Sequence, residues 1–88
     1  MRLDLFLKVS RLTPRRTVAQ SLCDAGAVLI NDLPAKAARP VKPGDCLTLR
    51  LRHRKMVVRV TSVPETKSVK SPATLYERIS EEPLEHES

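Results

Sequence analysis

The feature that most constrains the fold is a change of hydrophobic period at Gly26. Before it, apolar residues recur at helical spacing; after it, they alternate. Such a switch marks a chain that begins with helices and continues as strands. In "MRLDLFLKVSR", Leu3, Phe6 and Leu7 stand at i, i+3 and i+4, and Leu5, Val9 and Leu12 widen the stripe. A short helix over residues 3–11 is expected, with Arg2, Lys8 and Arg11 left for the other side. "TPRRTVAQSLCDAG" predicts a second helix. Thr13 suits its N-cap, Pro14 its first position and Gly26 the residue just past its end. Val18, Leu22 and Cys23 form its expected inward face. The connection is short, so the second helix must turn sharply against the first.

Beyond Gly26, "AVLIN" predicts a brief strand ending in a turn at Asn31-Asp32. "LPAKAARPVKPGD" carries prolines at 34, 40 and 43 and predicts an extended loop. Pro43-Gly44 fits the centre of a type II turn. "CLTLRLR" alternates, with Leu47, Leu49 and Leu51 on one face and Thr48, Arg50 and Arg52 on the other. "MVVRVTSV" completes an antiparallel hairpin with a basic tip at His53, Arg54 and Lys55. Then the composition shifts. "ETKSVKS" is polar linker, "SPATLYERIS" predicts a short helix capped by Ser71 and Pro72, and "EEPLEHES" is an acidic, flexible tail. Leu75, Tyr76 and Ile79 would let that helix pack on the body. The expected organisation is one α+β domain over residues 1–62, two N-terminal helices on a small, mostly antiparallel sheet. The linker, short helix and tail occupy 63–88.

Charge narrows the function. The 88-residue chain has a net charge of +6. Residues 1–62 hold 13 Lys/Arg against 4 Asp/Glu, and residues 63–88 hold 3 against 6. A basic body favours a polyanionic partner. A domain this small buries only about 60–65% of its unfolded surface, which disfavours a deep substrate cleft. The two glycines form no phosphate loop. His53 and His86 have no Ser or Cys and Asp relay, and no metal-ligand spacing occurs. A non-catalytic protein without metal or cofactor is expected. Cys23 and Cys46 stand apart from any Cys-x-x-Cys or Cys/His cluster, as two buried cytosolic thiols would. The N-terminus lacks the pattern of a signal peptide, and no run approaches the ~18 apolar residues of a membrane span. A cytoplasmic protein without membrane contact is expected.

The second helix carries Arg15 and Arg16 in its first turn, at the positive end of the helix dipole. One adverse charge there costs roughly 0.3–1 kcal/mol. Two make physical sense if an anion sits there, because the free N–H groups of a helix start already point at it. Thr13 or Thr17 could add a hydrogen bond, and Arg2 and Arg11 could close the patch. The bland alternative is two solvated arginines tolerated at small cost. On the phosphate reading, removing Arg16 weakens RNA binding and leaves stability equal or higher. The chain has no Trp, and Phe6 lies in the apolar stripe. The surface would therefore follow RNA backbone and shape more than stacked bases.

The run "RLDLFLKVSRLTPRRTVAQSLCDAGAVLINDLPAKAARPVKPGDCLTLRL" resembles the S4 domain, the small RNA-binding domain named after a ribosomal protein. The order that carries the likeness is helix, basic turn, helix, Gly, short strand, "ND", "K", "VKPGD", strand, over about residues 1–60. The family often has Asn-Gly where this chain has Asn31-Asp32. In its short free-standing form, with "KVSRL…RRT" and "ATLYERI", the chain is most similar to the family's ribosome quality-control group. That resemblance implies a monomer that binds rRNA and peptidyl-tRNA on stalled large ribosomal subunits. It implies support for alanine tailing of the nascent chain with an RqcH-type factor. By position it implies Arg2 and Arg16 as principal RNA contacts, with Lys8, Arg11, Arg15, Thr17 and Lys36 around them.

Three other readings compete. A heat-shock-type S4 protein also recognises large subunits with a nascent chain, but usually carries a longer basic C-terminal helix. A DNA-binding helix-turn-helix regulator would need base-reading side chains along the second helix, where Gln20 stands almost alone. A protein-interaction module would use the Leu75, Tyr76 and Ile79 helix.

Overall fold

Two short helices lead into a five-stranded antiparallel sheet. The computed structural model describes residues 1–64 and 75–83. The elements are α1 (Leu3–Val9), α2 (Arg16–Asp24), β1 (Val28–Ile30), β2 (Leu33–Pro34), β3 (Cys46–Arg50), β4 (Arg54–Val60) and β5 (Tyr76–Pro83). The strand order is β2-β1-β3-β4-β5, and every pairing is antiparallel. The expected α+β class holds, with two N-terminal helices on an antiparallel sheet, and β2 forms within the segment expected as an extended loop.

The core lies between the helices and one face of the sheet. Leu3, Phe6, Leu7 and Val9 of α1 are buried with Ala19 and Cys23 of α2. Val28, Ile30, Leu47, Leu49, Met56, Val58 and Val60 complete it from the strands. The alternation of Leu47 and Leu49 is the period-2 signal of a sheet with one face on the core. Thr48, expected outside, is also buried, in register between Leu29 and Val57.

Both helices depart from their expected bounds. α1 ends at Val9, and Arg11 follows in the left-handed region at φ 62°. α2 begins at Arg16 with Arg15 at its N-cap, two residues later than Thr13 and Pro14 predict. Thr13 is buried instead, its N–H on the Leu7 carbonyl at 3.1 Å and its hydroxyl donating to the Arg15 carbonyl at 3.3 Å. It anchors the interhelical turn rather than capping the helix. The later start changes the buried face. Ala19 and Cys23 point inward, Leu22 is half-buried, and Val18 is exposed. At the far end, Gly26 (φ 72°) donates to Cys23 O at 3.0 Å and Ala27 donates to Leu22 O at 2.9 Å. These two bonds close a Schellman motif. No atom lies within 4 Å of a Cβ built at Gly26, so the backbone angle and not space calls for glycine there.

Asn31 (φ 51°) and Asp32 (φ 68°) are both left-handed and form the two-residue type I′ link between β1 and β2. The turn is tied down. The Asn31 amide donates to Asp45 Oδ1 at 3.3 Å, and Cys46 N–H donates to Asn31 Oδ1 at 3.0 Å. Gly44 (φ 94°) with Asp45 N–H on Lys42 O at 3.2 Å gives the expected type II turn.

The largest correction is at the C-terminal end. The helix expected over "SPATLYERIS" is a strand: β5 pairs with β4 from Tyr76 opposite Val60 to Pro83 opposite Arg54. Its proposed cap, Ser71-Pro72, lies outside the described residues. An uncovered β4 would present a row of unpaired backbone groups, and β5 satisfies them. Leu75 is buried and Tyr76 half-buried, while Ile79 sits at a register shift and is exposed. Glu81 and Glu82, assigned to a flexible tail, belong to this strand; residues 84–88 lie outside the described range.

Candidate nucleic-acid interface

The centre of the basic cluster is an acid. The Asp4 side chain, in the first turn of α1, has no exposed surface. Its Oδ1 accepts Leu5 N–H at 2.8 Å and lies 3.2 Å from Arg2 Nε. Its Oδ2 accepts Arg16 Nε–H at 3.1 Å and the Gln20 amide at 2.9 Å. Arg16 and Gln20 stand one turn apart on α2, so both reach the same oxygen. Burial pushes the Asp4 carboxyl up, but the bonds from Gln20, Arg16 and Leu5 N–H, with the attraction of Arg16, outweigh it and hold the group below the usual carboxylate value.

Arg2 and Arg16 therefore share one surface, as the sharp interhelical turn predicts. Both meet Asp4 through Nε, which leaves their Nη amino groups outside these contacts. One buried negative charge against two guanidiniums leaves a local surplus of one positive charge. Arg16 has a counter-ion within the free protein, so the expectation that its removal leaves stability equal or higher is reversed.

The remaining candidates surround this pair unevenly. Arg15 is exposed at the α2 N-cap, where no side chain caps the helix. Thr17 is exposed in the first turn and lines a shallow groove of about 280 Å³ with Val18, Ser21 and Leu22. Lys8 is exposed in the last turn of α1, and Arg11 is exposed just beyond it. Lys36 is exposed in the loop after β2. That loop runs along the start of α1: Leu3 N–H donates to Arg39 O at 2.8 Å and Asp4 N–H to Ala37 O at 3.1 Å. It brings Lys36 and the exposed Arg39 to the Arg2 end of the cluster.

Sequence reading missed three members of this site. Asp4 and Gln20 lie outside the expected contact set, Gln20 standing only as a near-solitary base-reading side chain in the helix-turn-helix alternative, and Arg39 falls in the expected loop. The usable signal for Asp4 and Gln20 was their place on the two helices that flank the sharp turn. The basic hairpin tip is also rearranged. β4 starts at Arg54, whose guanidinium lies 2.9 Å from Glu81, and Glu81 lies 3.3 Å from Arg78.

Other chemistry is sparse among the described residues. No group of three or more His, Cys, Asp or Glu side chains is placed to hold a metal ion. Cys23 and Cys46 are both free. Burial, with the nearby charges of Asp4 and Asp24, pushes the Cys23 thiol up to about 11, so it stays protonated at neutral pH. Cys46 is half-buried rather than buried. No described helix is long and apolar enough to cross a membrane.

The family model of the S4 domain matches residues 1–46. The RQC P-site tRNA stabilizing factor of Halalkalibacterium halodurans is 46% identical over 84 residues, covering 96% of each chain. The factor of the same name from Bacillus subtilis is 45% identical over 84 residues, covering 96% of this chain and 98% of that one. In three dimensions, a trimeric structure of Vibrio cholerae heat shock protein 15 superposes with a TM-score of 0.80 at 26% identity, covering 91% of this chain and 82% of that one.

Proposed function

Since the chain belongs to the S4 domain family and, over nearly its whole length, to the RQC P-site tRNA stabilizing factors, we propose that it is a non-catalytic RNA-binding factor of ribosome-associated quality control. It binds rRNA and peptidyl-tRNA on stalled large ribosomal subunits and steadies the tRNA in the P site. With an RqcH-type factor it supports alanine tailing of the nascent chain. It works as a monomer in the cytoplasm, and the bond-making belongs to the ribosome.

The observation that carries this reading is the placement of Arg2 and Arg16 on one buried carboxylate, beside the uncapped start of α2. Guanidinium groups with free Nη edges match phosphate oxygens, and the N–H groups of a helix start add to the attraction. Arg15, Thr17, Lys8, Arg11 and Lys36 extend the surface. The heat-shock-type reading shares the fold, but the match to the stabilizing factors is higher in identity and covers both chains almost completely.

Arg2→Ala and Arg16→Ala, made separately, test it. Each should weaken co-sedimentation with tRNA-loaded large subunits by about 1–3 kcal/mol, the range for a charge-assisted hydrogen bond. Each should make the salt slope of binding shallower by about one unit. Arg16→Ala should also lower stability by up to about 1 kcal/mol, since its guanidinium is partly exposed and the ion pair is screened. A fall in melting temperature with unchanged subunit affinity would make these arginines purely structural. Alanine tailing in a reconstituted reaction should fall with subunit affinity.

A further inference from the structure

We propose that Asp4 is a positioning residue for RNA binding: a buried anion that sets the spacing and heading of Arg2 and Arg16, so that the two guanidiniums meet two phosphodiester groups as a preset pair. This rests on the reading that both arginines touch RNA.

Three parts of the chain converge to hold the carboxylate still. α1 supplies Asp4 itself and the Leu5 N–H bond to Oδ1. The loop after β2 holds the Asp4 N–H through Ala37 O at 3.1 Å. α2 supplies Gln20, which fixes Oδ2 at 2.9 Å beside Arg16. Asp4 is fully buried, whereas the side chains of Arg2 and Arg16 are 49% and 36% exposed. Each arginine is thus held at its Nε while a third to a half of its side-chain surface stays exposed. Without the carboxylate, two like charges would repel across the helix turn and their long side chains would spread over many rotamers. With it, rotamer freedom is lost before RNA arrives, so less is lost on binding. The Nη1 and Nη2 groups of each arginine remain for a bidentate contact to phosphate.

The sign of the effect separates this role from simple electrostatics. Asp4→Asn removes a negative charge from a site that binds a polyanion, so long-range attraction alone would strengthen binding. Positioning requires the opposite. In the full-length protein, Asp4→Asn should weaken binding to purified, tRNA-loaded large ribosomal subunits by about tenfold or more, the loss of one charge-assisted contact. The salt slope should become shallower by one to two units. In an Arg2→Ala/Arg16→Ala background, measured at low salt, the same substitution should change affinity by less than about twofold. Val58→Ala, a core truncation on β4 with no contact to the carboxylate, controls for folding: it should lower the melting temperature while leaving the salt slope intact.

Unchanged or tighter binding by Asp4→Asn overturns the proposal. So does an equal loss in both backgrounds, or a loss with an unchanged salt slope, because a merely structural defect produces those outcomes. If the single arginine variants bind as well as the parent, the underlying reading fails instead. If they bind weakly and Asp4→Asn does not, only the positioning role fails.

Discussion

Asp4 links the stability of the fold to pH in a definite direction. Its carboxyl titrates below the ordinary value of 3.8 because its hydrogen bonds and the Arg16 charge outweigh burial. A group whose value is depressed on folding adds stability above its unfolded value and loses it as pH falls through the folded one. At neutral pH its contribution is therefore fully present. Asp4→Asn should cost about 1–3 kcal/mol at pH 7, since Leu5 N–H, Gln20 and the two arginines lose a buried charged acceptor. The gap between variant and parent melting temperatures should narrow as pH drops below about 4. Scans between pH 7 and pH 2 would show it, and a gap independent of pH would place the ionised carboxylate outside the stability of the fold. Arg16 was legible in the sequence because two cations, Arg15 and Arg16, at a helix start are anomalous, and Arg2 came through the resemblance to the S4 domain. Asp4 was not legible, because an acid in a first turn is what the dipole favours and no local pattern reveals burial.

Among the elements, the two tight turns and the β3–β4 hairpin followed the sequence closely, while the start of α2, the short strand β2 and the C-terminal strand did not. Gly26 and Pro43-Gly44 have backbone angles that few other residues tolerate, so their position is encoded locally. Thr13 could cap α2 or brace the interhelical turn with the same hydroxyl, and the bond of its N–H to the Leu7 carbonyl, a contact back to α1, goes with the second. The C-terminal strand was misread because Leu75, Tyr76 and Ile79 fit a helical stripe as well as a strand. Pairing to β4 decided it, and that is long-range information. A cross-strand signal was nonetheless present: Arg59 faces Glu77 and Lys55 faces Glu82. The β1–β2 turn yields a prediction at this scale. Its second residue is Asp32 at φ 68°, where a type I′ turn prefers glycine. Asp32→Gly should raise stability by up to about 1 kcal/mol. Chemical denaturation would measure it. A loss of stability would mean that Asp32 holds the turn through contacts its backbone angle does not reveal.

Across the whole molecule, charge is sorted by strand as well as by sequence. The acidic segment that reads as a tail lies in part against the basic strand. Glu81 sits on Arg54 at 2.9 Å, and Glu82 is in register with Lys55. β5 thereby offsets cations of the β3–β4 hairpin, while the α1–α2 surface keeps its surplus. This sorting favours one RNA-binding face over diffuse attachment to any polyanion. Ending the chain after Ser80 removes Glu81, Glu82, Glu85 and Glu87 and no Lys or Arg, so the net charge rises from +6 to +10. Affinity for an unrelated RNA duplex should rise, with a steeper salt slope, while affinity for tRNA-loaded large subunits should hold or rise slightly. Stability should fall by about 1–2 kcal/mol, because Met56, now buried, loses the strand beside it. The ion pair itself adds little to that figure, since the Arg54 side chain is more than half exposed. Glu81→Gln/Glu82→Gln in the full chain separates the two effects: the strand remains and only charge is lost. That variant should gain duplex affinity with little change in melting temperature. If it binds the duplex no more tightly than the parent, β5 serves the sheet alone, and selectivity among RNAs must come entirely from the Asp4 cluster.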